Sequence, residues 1–376
     1  MRQTRFASVE DVIARLDPSY PVFCLWPALI EAKAREFLTG FPGKVLYAVK
    51  CNPHPIVLRA LHRAGLRDFD TASLYEIAQV SELFDDVTCY FNHPVKGRGA
   101  LESADNVYGI RDYVIDHVTE LDKLVEMVGT DITVAVRFAT PKANSMFNLS
   151  AKFGATPDDA VSLLREVEER GCRAALAFHV GSQCSDPHAY SIALELAASI
   201  GSRAGVEIEY LDVGGGFPAR YESGLPPLSD YFDVIRTECA RLELTMPLLC
   251  EPGRALVGDA GSLLTQVHMR RGQDLYLNDG IYGCLSEVRD SDLIPAMRAI
   301  GRRHNLSGAP ANFRIFGPTC DPIDVLKVPF VLPTDIEEGD WIEIERLGAY
   351  SLALSSGFNG FVTDAVVEID GLPNFQ

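Results

Sequence analysis

Residues 45–53 have the sequence VLYAVKCNP, an apolar run that ends near Lys50 and is followed at once by a helical pattern. A lysine that loses hydration at a strand end has a lowered pKa, which frees its amine for Schiff-base chemistry. For Lys50 alone, the alternative is an ordinary strand-end lysine with its ammonium group in water. Four later stretches favour the chemical interpretation: FHVGSQ (178–183), DVGGGFP (212–218), CEPGR (250–254) and GPTCD (317–321).

The order of elements around this stretch predicts a barrel. Short apolar segments alternate with helical patterns from about residue 22 to residue 254. The clearest helix has Thr156 suited to the N-cap, Pro157 to the first turn and Gly171 to the end. Eight such strand–helix units predict a (β/α)8 TIM-type barrel. The predicted strands are 45–49, 68–70, 89–91, 113–116, 132–138, 174–180, 208–213 and 248–250.

The sequence pattern changes after Arg254. Segments that alternate apolar and polar residues are separated by Gly, Pro and Asp turns, which is typical of an antiparallel β domain. These segments are 262–271, 274–278, 312–317, 341–346 and 365–370. We therefore predict a barrel domain at 22–256, with 1–21 and 257–376 together forming a sandwich-like or barrel-like β domain.

Composition and charge exclude several classes of partner. The chain has 376 residues, 47% of them apolar, and a net charge of −18. An acidic protein lacks the basic surface that nucleic acid or an anionic membrane requires, but it suits a cationic substrate. No apolar run is long enough to span a bilayer, and the N-terminus lacks the apolar region of a secretory signal. The nine cysteines include no C-x-x-C pair, which predicts a cytoplasmic protein without a structural metal site.

Several residues that carry chemistry fall near the ends of predicted strands. Barrel enzymes place their sites at the C-terminal ends of their strands. Besides Lys50, these residues are Asp70, Arg137, His179, Gly214, Gly215, Gly216 and Glu251. The three glycines form either an anion-binding nest of backbone N–H groups or a tight turn. Gly253 and Ser182 add further donors, so we predict a phosphate cradle.

His179 and Glu251 complete a candidate cofactor pocket. His179 is either a satisfied core histidine or a ring that stacks on a flat ligand. A carboxylate such as Glu251 stabilises a protonated pyridine nitrogen, and the protonated ring then withdraws electrons. Lysine, phosphate cradle, stacking ring and carboxylate together predict a site for pyridoxal 5′-phosphate.

These motifs resemble the fold-type III, pyridoxal-phosphate-dependent decarboxylases, and most closely the ornithine/lysine decarboxylases of the short bacterial type. The likeness runs from about residue 20 to residue 365 and implies an alanine racemase-like fold. It implies that Lys50 is the Schiff-base lysine, that His179 stacks on the cofactor and that Glu251 meets its ring nitrogen. The remaining cofactor-binding residues expected from these motifs are Asp70, Glu76, Arg137, Ser182, Gly214, Gly215, Gly216, Gly253, Arg254 and Tyr350.

The GPTCD stretch discriminates between branches of this family. Its T-C-D form is similar to the ornithine/lysine branch, which implies that Cys320 and Asp321 enter the active site of a neighbouring subunit in an obligate homodimer. Cys320 is then a catalytic proton donor, and an inert buried thiol is the alternative. The substrate-binding residues implied are Asp321, Asp290, Tyr282 and Phe358, with Glu287 and Asp292 as the second choices to Asp290 in the loop at 285–292.

The resemblance implies decarboxylation of L-ornithine to putrescine and CO2, a step of polyamine biosynthesis. Lysine, giving cadaverine, is a second candidate substrate, and arginine and a carboxylated polyamine precursor are two more. Arginine enzymes of this type are expected to be longer, which counts against arginine, and a racemase would have a different stretch at 317–321. A non-catalytic regulatory homologue would have lost the lysine or the phosphate contacts, which are present here.

Overall fold

The structure, a computed structural model, describes residues 5–141, 145–147, 152–221, 224–291, 293–373 and 375. Its strands, in chain order, are β1 (Arg5–Phe6), β2 (Val22–Leu25), β3 (Lys44–Ala48), β4 (Asp68–Thr71), β5 (Thr88–Phe91), β6 (Asp112–Ile115), β7 (Thr133–Arg137), β8 (Ser145–Phe147), β9 (Arg173–Ala177), β10 (Ser182–Cys184), β11 (Leu211–Asp212), β12 (Leu248–Cys250), β13 (Gly261–Arg271), β14 (Asp274–Leu277), β15 (Met297–Ile300), β16 (Pro310–Phe316), β17 (Phe330–Pro333), β18 (Trp341–Ile344) and β19 (Ala365–Ile369).

The α-helices of these described residues are α1 (Val9–Leu16), α2 (Pro27–Gly40), α3 (Pro55–Arg63), α4 (Leu74–Leu83), α5 (Arg98–Asn106), α6 (Val118–Val128), α7 (Pro157–Glu169), α8 (His188–Ala204), α9 (Leu228–Arg241), α10 (Arg254–Val257) and α11 (Ser286–Asp290). In the part of the chain that the structure describes, none of them is both long and apolar enough to cross a membrane.

Eight parallel strands close into a barrel in the order β11-β12-β3-β4-β5-β6-β7-β9. All eight predicted strands are confirmed, with ends that shift by a few residues. A small core cluster contains alternate residues of several barrel strands, including Leu46, Ala135, Ala175 and Leu249. The intervening residues belong to the main core with the surrounding helices. This alternation is the packing expected of a (β/α)8 barrel, and it directs the strand C-termini toward one rim.

Helix α7 begins and ends as its sequence predicts. The Thr156 hydroxyl accepts a hydrogen bond from the Asp159 backbone N–H, and Pro157 occupies the first position. Leu164 and Val167 are buried on the face toward the barrel. Gly171 has φ +82°, a conformation that favours glycine, so the helix ends there.

The second sheet has nine strands and follows the order β1-β19-β2-β13-β14-β16-β17, with β18 paired to β13 and β15. The pairs β1–β19, β19–β2 and β14–β16 are parallel, and the other pairs are antiparallel. Strands β15 and β17, each of four residues, were not predicted.

The start of the barrel domain differs from the prediction. The predicted barrel at 22–256 includes Val22–Leu25, but this strand pairs with β13 and β19 of the second sheet. Its four apolar residues are buried on both faces, a pattern that a barrel strand shares. The end of the barrel domain at residue 256 stays a prediction. We propose that this domain begins after Leu25 and ends at residue 256.

The second sheet has two different faces. Residues such as Phe23, Leu263 and Ile344 belong to the main core shared with the barrel. Cys24 and Leu264, on the opposite face, belong to a separate cluster with Val9 and Val12 of helix α1. The barrel therefore covers one face of the sheet, and α1 covers the other.

Candidate active site

A cavity of about 510 Å³ opens at the C-terminal rim of the barrel, and we call it the rim cavity. Its walls come from the segments that follow β3, β5, β9, β11 and β12. Ten of the predicted site residues line it: Lys50, Arg137, His179, Ser182, Gly215, Gly216, Glu251, Gly253, Arg254 and Tyr350. The chain folds these separate motifs together because parallel strands bring their C-termini to one edge.

Lys50 lies in a short 3₁₀ turn that directly follows β3. Its Nζ atom donates a hydrogen bond of 2.7 Å to Oδ2 of Asp70, which lies near the end of the neighbouring strand β4. The lysine side chain is 44% exposed to the cavity, whereas the Asp70 side chain is buried. Oδ1 of Asp70 is buried without a hydrogen-bond partner.

The Lys50 pKa lies above its ordinary value. Burial is the largest single influence and lowers this pKa, but the neighbouring groups together raise it by more, first Asp70 and then Glu251 and Tyr350. The expectation of a lowered pKa is therefore wrong for this arrangement, because it considered the loss of hydration and omitted the neighbouring carboxylates.

His179 follows β9 and has a neutral ring. Burial lowers its pKa well below the ordinary value, and the positive charges of Arg137 and Lys50 act in the same direction. Its Nδ1 atom accepts a hydrogen bond of 3.0 Å from the Gly181 backbone N–H. A Cβ atom at Gly215 would lie 3.0 Å from Nε2 of this ring and 2.6 Å from the Glu251 carbonyl oxygen, so only glycine lets the loop pack this close to the ring.

Glu251 follows β12 and is held by an amide that the motifs did not indicate. Asn92, directly after β5, donates a hydrogen bond of 2.6 Å to Oε1 of Glu251. Burial, then the charges of Asp212 and Asp70, raise the pKa of Glu251 well above its ordinary value. Burial likewise raises the pKa of Asp212 to about 7. Asp212 and Glu251 are therefore a coupled pair that retains a proton near neutral pH.

The three-glycine loop lies against the backbone of its neighbours. Gly214 has φ +69°, and its N–H donates to the Asp212 carboxylate at 2.8 Å. A Cβ atom there would lie 2.2 Å from the Phe178 carbonyl oxygen. The hydroxyl of Tyr190, from helix α8, donates to the Gly215 carbonyl at 2.9 Å and fixes the loop. Gly214 itself does not line the cavity, but it sets the path of the two glycines that do.

Arg254 begins helix α10, lines the rim cavity and is buried. Its Nη1 atom donates to Oε2 of Glu287 at 2.9 Å, and its Nη2 atom donates to the other oxygen of that carboxylate. Weaker hydrogen bonds of 3.4 Å join the guanidinium to the Ser182 hydroxyl, and Nη1 donates to the Tyr221 hydroxyl at 3.1 Å. The guanidinium carbon also lies 4.9 Å from the centre of the Tyr350 ring. Hydroxyls, guanidinium and glycine loops thus meet at one end of the cavity.

A separate group outside the rim cavity contains four more predicted site residues: Tyr282, Cys320, Asp321 and Phe358. We call these four residues and Asn359 the Asp321 cluster. The Tyr282 hydroxyl donates to Oδ2 of Asp321, and the Tyr282 ring centre lies 4.7 Å from that of Phe358. The Cys320 backbone N–H donates to the side chain of Asn359 at 3.2 Å. All nine cysteines are described and are free thiols, and Cys320 is the exposed one.

Glu76 and the loop at 285–292 differ from the expected arrangement. The Glu76 carboxylate does not line the cavity, but accepts a hydrogen bond of 2.7 Å from the N–H of Ala72, which does. Glu287 lines the cavity, where Arg254 holds it. The Asp290 side chain and Asp292 lie outside the described residues.

Sequence reasoning missed Asn92, Asp212, Glu287 and Tyr221 as parts of the cavity or its support. Asn92 and Asp212 each stand at the end of a barrel strand, so their positions carried the same signal as that of Lys50. Glu287 was considered only for substrate binding, because its contact with Arg254 depends on the tertiary fold.

The rim cavity fits pyridoxal 5′-phosphate. Arg254, Ser182, Tyr350 and the glycine loops form an anion-binding end, which suits a phosphate. Asp70 leaves a buried carboxylate oxygen without a partner beside the Lys50 amine. His179 lines the cavity with a neutral ring, on which a flat cofactor ring can stack.

Comparison with known proteins gives a consistent result. A sequence model described as pyridoxal-dependent decarboxylase, pyridoxal binding domain, matches residues 28–258. The chain is 33% identical over 342 residues to the lysine/ornithine decarboxylase of Selenomonas ruminantium, covering 88% of this chain and 84% of the relative. The structure of the Vibrio vulnificus lysine/ornithine decarboxylase complexed with cadaverine has a TM-score of 0.83 and 28% identity, and covers 98% of this chain and 100% of its own.

A fold with a TIM-type barrel and a second β domain, and a cavity suited to pyridoxal phosphate, define a fold-type III enzyme. The chain belongs to the pyridoxal-phosphate-dependent amino-acid decarboxylases of this fold. The arginine decarboxylase of Paramecium bursaria Chlorella virus, solved with agmatine, has a TM-score of 0.86 and 26% identity, and covers 96% of this chain and 100% of its own. Length therefore does not count against arginine, because that arginine enzyme is fully spanned by this chain.

Proposed function

We propose that the protein decarboxylates L-ornithine to putrescine and CO2 in polyamine biosynthesis, with L-lysine as a second substrate. The observation that carries this proposal is the rim cavity, in which Lys50, His179, Glu251 and Arg254 surround one space. The relative from Selenomonas ruminantium is a lysine/ornithine decarboxylase, which supports a basic amino acid as the substrate. The net charge of −18 is consistent with a cationic substrate.

The residues that would hold the cofactor follow from their chemistry. Arg254, Ser182, Tyr350 and the backbone N–H groups of the glycine loops would bind its phosphate, and His179 would stack on its ring. Pyridoxal phosphate, when bound, supplies an aldehyde that condenses with amines and a protonated ring that accepts the electrons of a cleaved bond. Arg137 would contact the cofactor from the cavity wall, and Gly214, Asp70 and Glu76 would support these contacts from behind.

Each of the three central residues has a defined task. Lys50 places its amine at the cavity wall. Asp70 accepts a hydrogen bond from this amine, which fixes the orientation of the lysine, and the Asp70 carboxylate balances the ammonium charge. Glu251 presents a buried carboxyl that Asn92 orients, and this carboxyl would hold a proton or a negative charge toward the nitrogen of a bound pyridine ring. His179 stays neutral, so it adds ring surface without adding a third positive charge beside Lys50 and Arg137.

We further propose a homodimer in which the Asp321 cluster of one chain completes the cavity of the other. The cluster lies outside the rim cavity of its own chain, and Cys320 is exposed. A residue that completes the site of a partner chain is expected to be exposed when one chain is considered by itself. Cys320 would then donate a proton to the carbon that loses CO2, and Tyr282 and Phe358 would line the substrate end.

Asp321 is suited to bind the distal ammonium of the substrate. The Tyr282 hydroxyl, followed by the Ile323 backbone N–H, lowers the pKa of Asp321, so its carboxylate stays ionised. A charge-assisted hydrogen bond to this group would discriminate against substrates without a distal amine. Asp290 remains the proposed second acidic contact, whereas Glu287 is occupied by Arg254.

We also propose a cytoplasmic location, which nine free thiols support because such thiols persist in a reducing compartment. No partner in nucleic acid or membrane is proposed.

The test is release of CO2 and amine from the purified protein with pyridoxal phosphate, using L-ornithine, L-lysine and L-arginine in parallel. We expect the highest kcat/KM for ornithine, with lysine second. Higher activity on arginine, or equal activity on amino acids without a distal amine, would contradict the substrate assignment while leaving the cofactor assignment intact.

A further inference from the structure

A second cavity, of about 470 Å³, lies in the β domain, and we call it the sheet-face cavity. It is formed by the second sheet, the start of helix α1 and residues near the C-terminus. Four carboxylates line it, together with one guanidinium and two aromatic rings. The six residues that matter most are Trp26, Arg298, Glu343, Glu345, Asp370 and Phe375.

Strand register places this cavity away from the barrel. Leu264 is paired with Glu343 on one side and with Val22 on the other, so these three side chains share a face of the sheet. Val22 and Leu264 pack with helix α1, whereas the adjacent residue Leu263 packs in the core shared with the barrel. Glu343 and, two residues later, Glu345 therefore face α1.

The carboxylates outnumber the cations that line the cavity. Arg298 donates hydrogen bonds to both Glu343 and Glu10, so one guanidinium serves two carboxylates. Glu343 also accepts a hydrogen bond of 2.8 Å from the Ser262 hydroxyl. Among the ion pairs of the described residues, the cation nearest to Asp370 is Arg5, whose Nε atom lies 4.0 Å from Oδ1 of Asp370.

Glu345 is the group that points to a ligand. It is 5% exposed and lines the cavity, and its Oε2 atom has no hydrogen-bond partner. A buried carboxylate oxygen without a hydrogen-bond partner is unfavourable, and proteins rarely keep one unless something binds it. Burial, then the charge of Glu343, raises the pKa of Glu345, while Arg346 and Arg298 oppose this with smaller effects. The two arginines therefore do not offset the burial of Glu345, although the guanidinium carbon of Arg346 lies 5.9 Å from the centre of the Phe375 ring.

The distribution of the carboxylates favours a ligand with two cationic ends. Asp370 follows β19 and Glu345 follows β18, and both strands run parallel to β2, so they end at the same edge of the sheet. Three strand spacings and a register offset of three residues separate their backbones by about 17 Å, so a single ammonium cannot neutralise both. The rings of Trp26 and Phe375, with centres 5.1 Å apart, provide apolar surface in the same cavity.

We propose that the sheet-face cavity binds a short aliphatic diamine, with one ammonium on Glu345 and Glu343 and the other near Asp370. The aromatic rings would cover the methylene chain and add cation–π attraction. The presence of a cation site follows from charge and burial, whereas the choice of a diamine also rests on the proposed function, because the products of that reaction belong to this class. The enzyme would thus carry a product-binding site separate from its reaction site.

The test is titration calorimetry of the full chain, loaded with pyridoxal phosphate, with 1,4-diaminobutane. The Asp321→Ala background weakens binding of diamines at the proposed active site, so the sheet-face cavity can be observed by itself. In that background we expect one diamine per chain to bind, and Glu345→Gln to weaken this binding about tenfold or more, because a charge-assisted hydrogen bond is lost. Asp370→Asn, at an exposed position, should weaken it less, and Glu338→Gln, which is exposed elsewhere in the domain, should leave it unchanged.

Three results would overturn the proposal: loss of all diamine binding in Asp321→Ala alone, no effect of Glu345→Gln, or equally tight binding of butylamine. Stability gives a second measurement. Without diamine, Glu345→Gln should raise Tm, because it removes an unpaired buried charge, whereas a carboxylate kept for folding would give a lower Tm. Diamine should raise the Tm of the parent more than that of Glu345→Gln. Failure of these tests would leave amino-acid decarboxylation unaffected, and failure of the decarboxylation assay would leave the cation site standing.

Discussion

The rim cavity and the Asp321 cluster differ in how their charged groups are satisfied. In the rim cavity, Lys50 is paired with Asp70 and Arg254 with Glu287, and these partners are largely buried. In the Asp321 cluster, the carboxylate accepts hydrogen bonds from a tyrosine hydroxyl and a backbone N–H at the surface. The first region is arranged within one chain, whereas the second lies at the surface of its chain, where we propose that a partner chain covers it. The difference suggests that cofactor chemistry and substrate selection are supplied by different chains.

The strongest test of the first region is Lys50→Ala. Decarboxylation should fall by about 10³-fold or more, the scale seen when a nucleophile or acid–base group is removed. The protein should also lose the cofactor adduct that borohydride reduction fixes on a lysine, which mass spectrometry of peptides detects. Lys33→Ala is the control and should retain both properties, because Lys33 is paired with Glu36 and does not line the rim cavity. An adduct at another lysine, with full activity in Lys50→Ala, would contradict the assignment.

The proposed division between chains is tested by mixing two inactive variants. Cys320→Ala should lower activity by about 10²-fold or more, as expected for loss of a proton donor. When Cys320→Ala and Lys50→Ala chains are refolded together in equal amounts, half of the dimers are mixed and each holds one intact site. Activity should then recover to about a quarter of the parent value, by the symmetry of a two-fold dimer. Without recovery, each chain would have to supply its own Cys320.

The barrel could be predicted from the sequence because its signals are local. Each strand is a short apolar run that a helical pattern follows, and the motifs at the strand ends contain glycine, lysine, histidine and glutamate. The assignment of Val22–Leu25 to the barrel was wrong because a four-residue apolar run does not indicate which sheet it joins. That information lies in its pairing with β13 and β19, which are distant in sequence.

The site shows the same limit. Motifs indicated which residues line the rim cavity, but the partners of those residues could not be inferred from them. Glu287 and Arg254 are 33 positions apart, so their pairing depends on the fold. The position of Glu76 had a local signal, since Ser73 caps helix α4 and accepts a hydrogen bond from the Glu76 N–H, as in a capping box.

The pair of Arg254 and Glu287 tests whether the rim cavity is prearranged. Glu287→Gln removes one partner of a buried ion pair and should lower the free energy of unfolding of the cofactor-free protein by about 3 kcal/mol. The loss should be smaller after pyridoxal phosphate binds, because its phosphate supplies a new negative charge to Arg254. Thermal unfolding with and without cofactor measures both effects.

Glu337→Gln is the matched control, because Glu337 is exposed and lies 4.0 Å from His304. It should change stability by less than about 0.5 kcal/mol, as surface pairs do. An equal loss of stability in Glu287→Gln with and without the cofactor would mean that Arg254 does not bind the phosphate. The rim cavity would then not be prearranged for the cofactor.

The smallest effect concerns the coupled carboxyls of Asp212 and Glu251. Burial raises the pKa of Asp212 from its ordinary 3.8 to about 7, so between these values the folded protein binds a proton that the unfolded chain does not. Stability of the cofactor-free protein should therefore be highest at the acidic end of this window and decline as pH rises from about 4 to about 7. Asp212→Asn removes one of the two carboxyls and should reduce this decline by about 2 kcal/mol.

The measurement is urea unfolding of the cofactor-free protein at several pH values, with Asp131→Asn as the control, since Asp131 is exposed beside Arg173. The control should follow the parent curve. In contrast, Asp321 has a lowered pKa, so the surface cluster contributes a pH dependence of the opposite sign. If Asp212→Asn left the slope unchanged, the proton would not reside on Asp212, and Glu251, whose pKa is raised well above its ordinary value, would carry it.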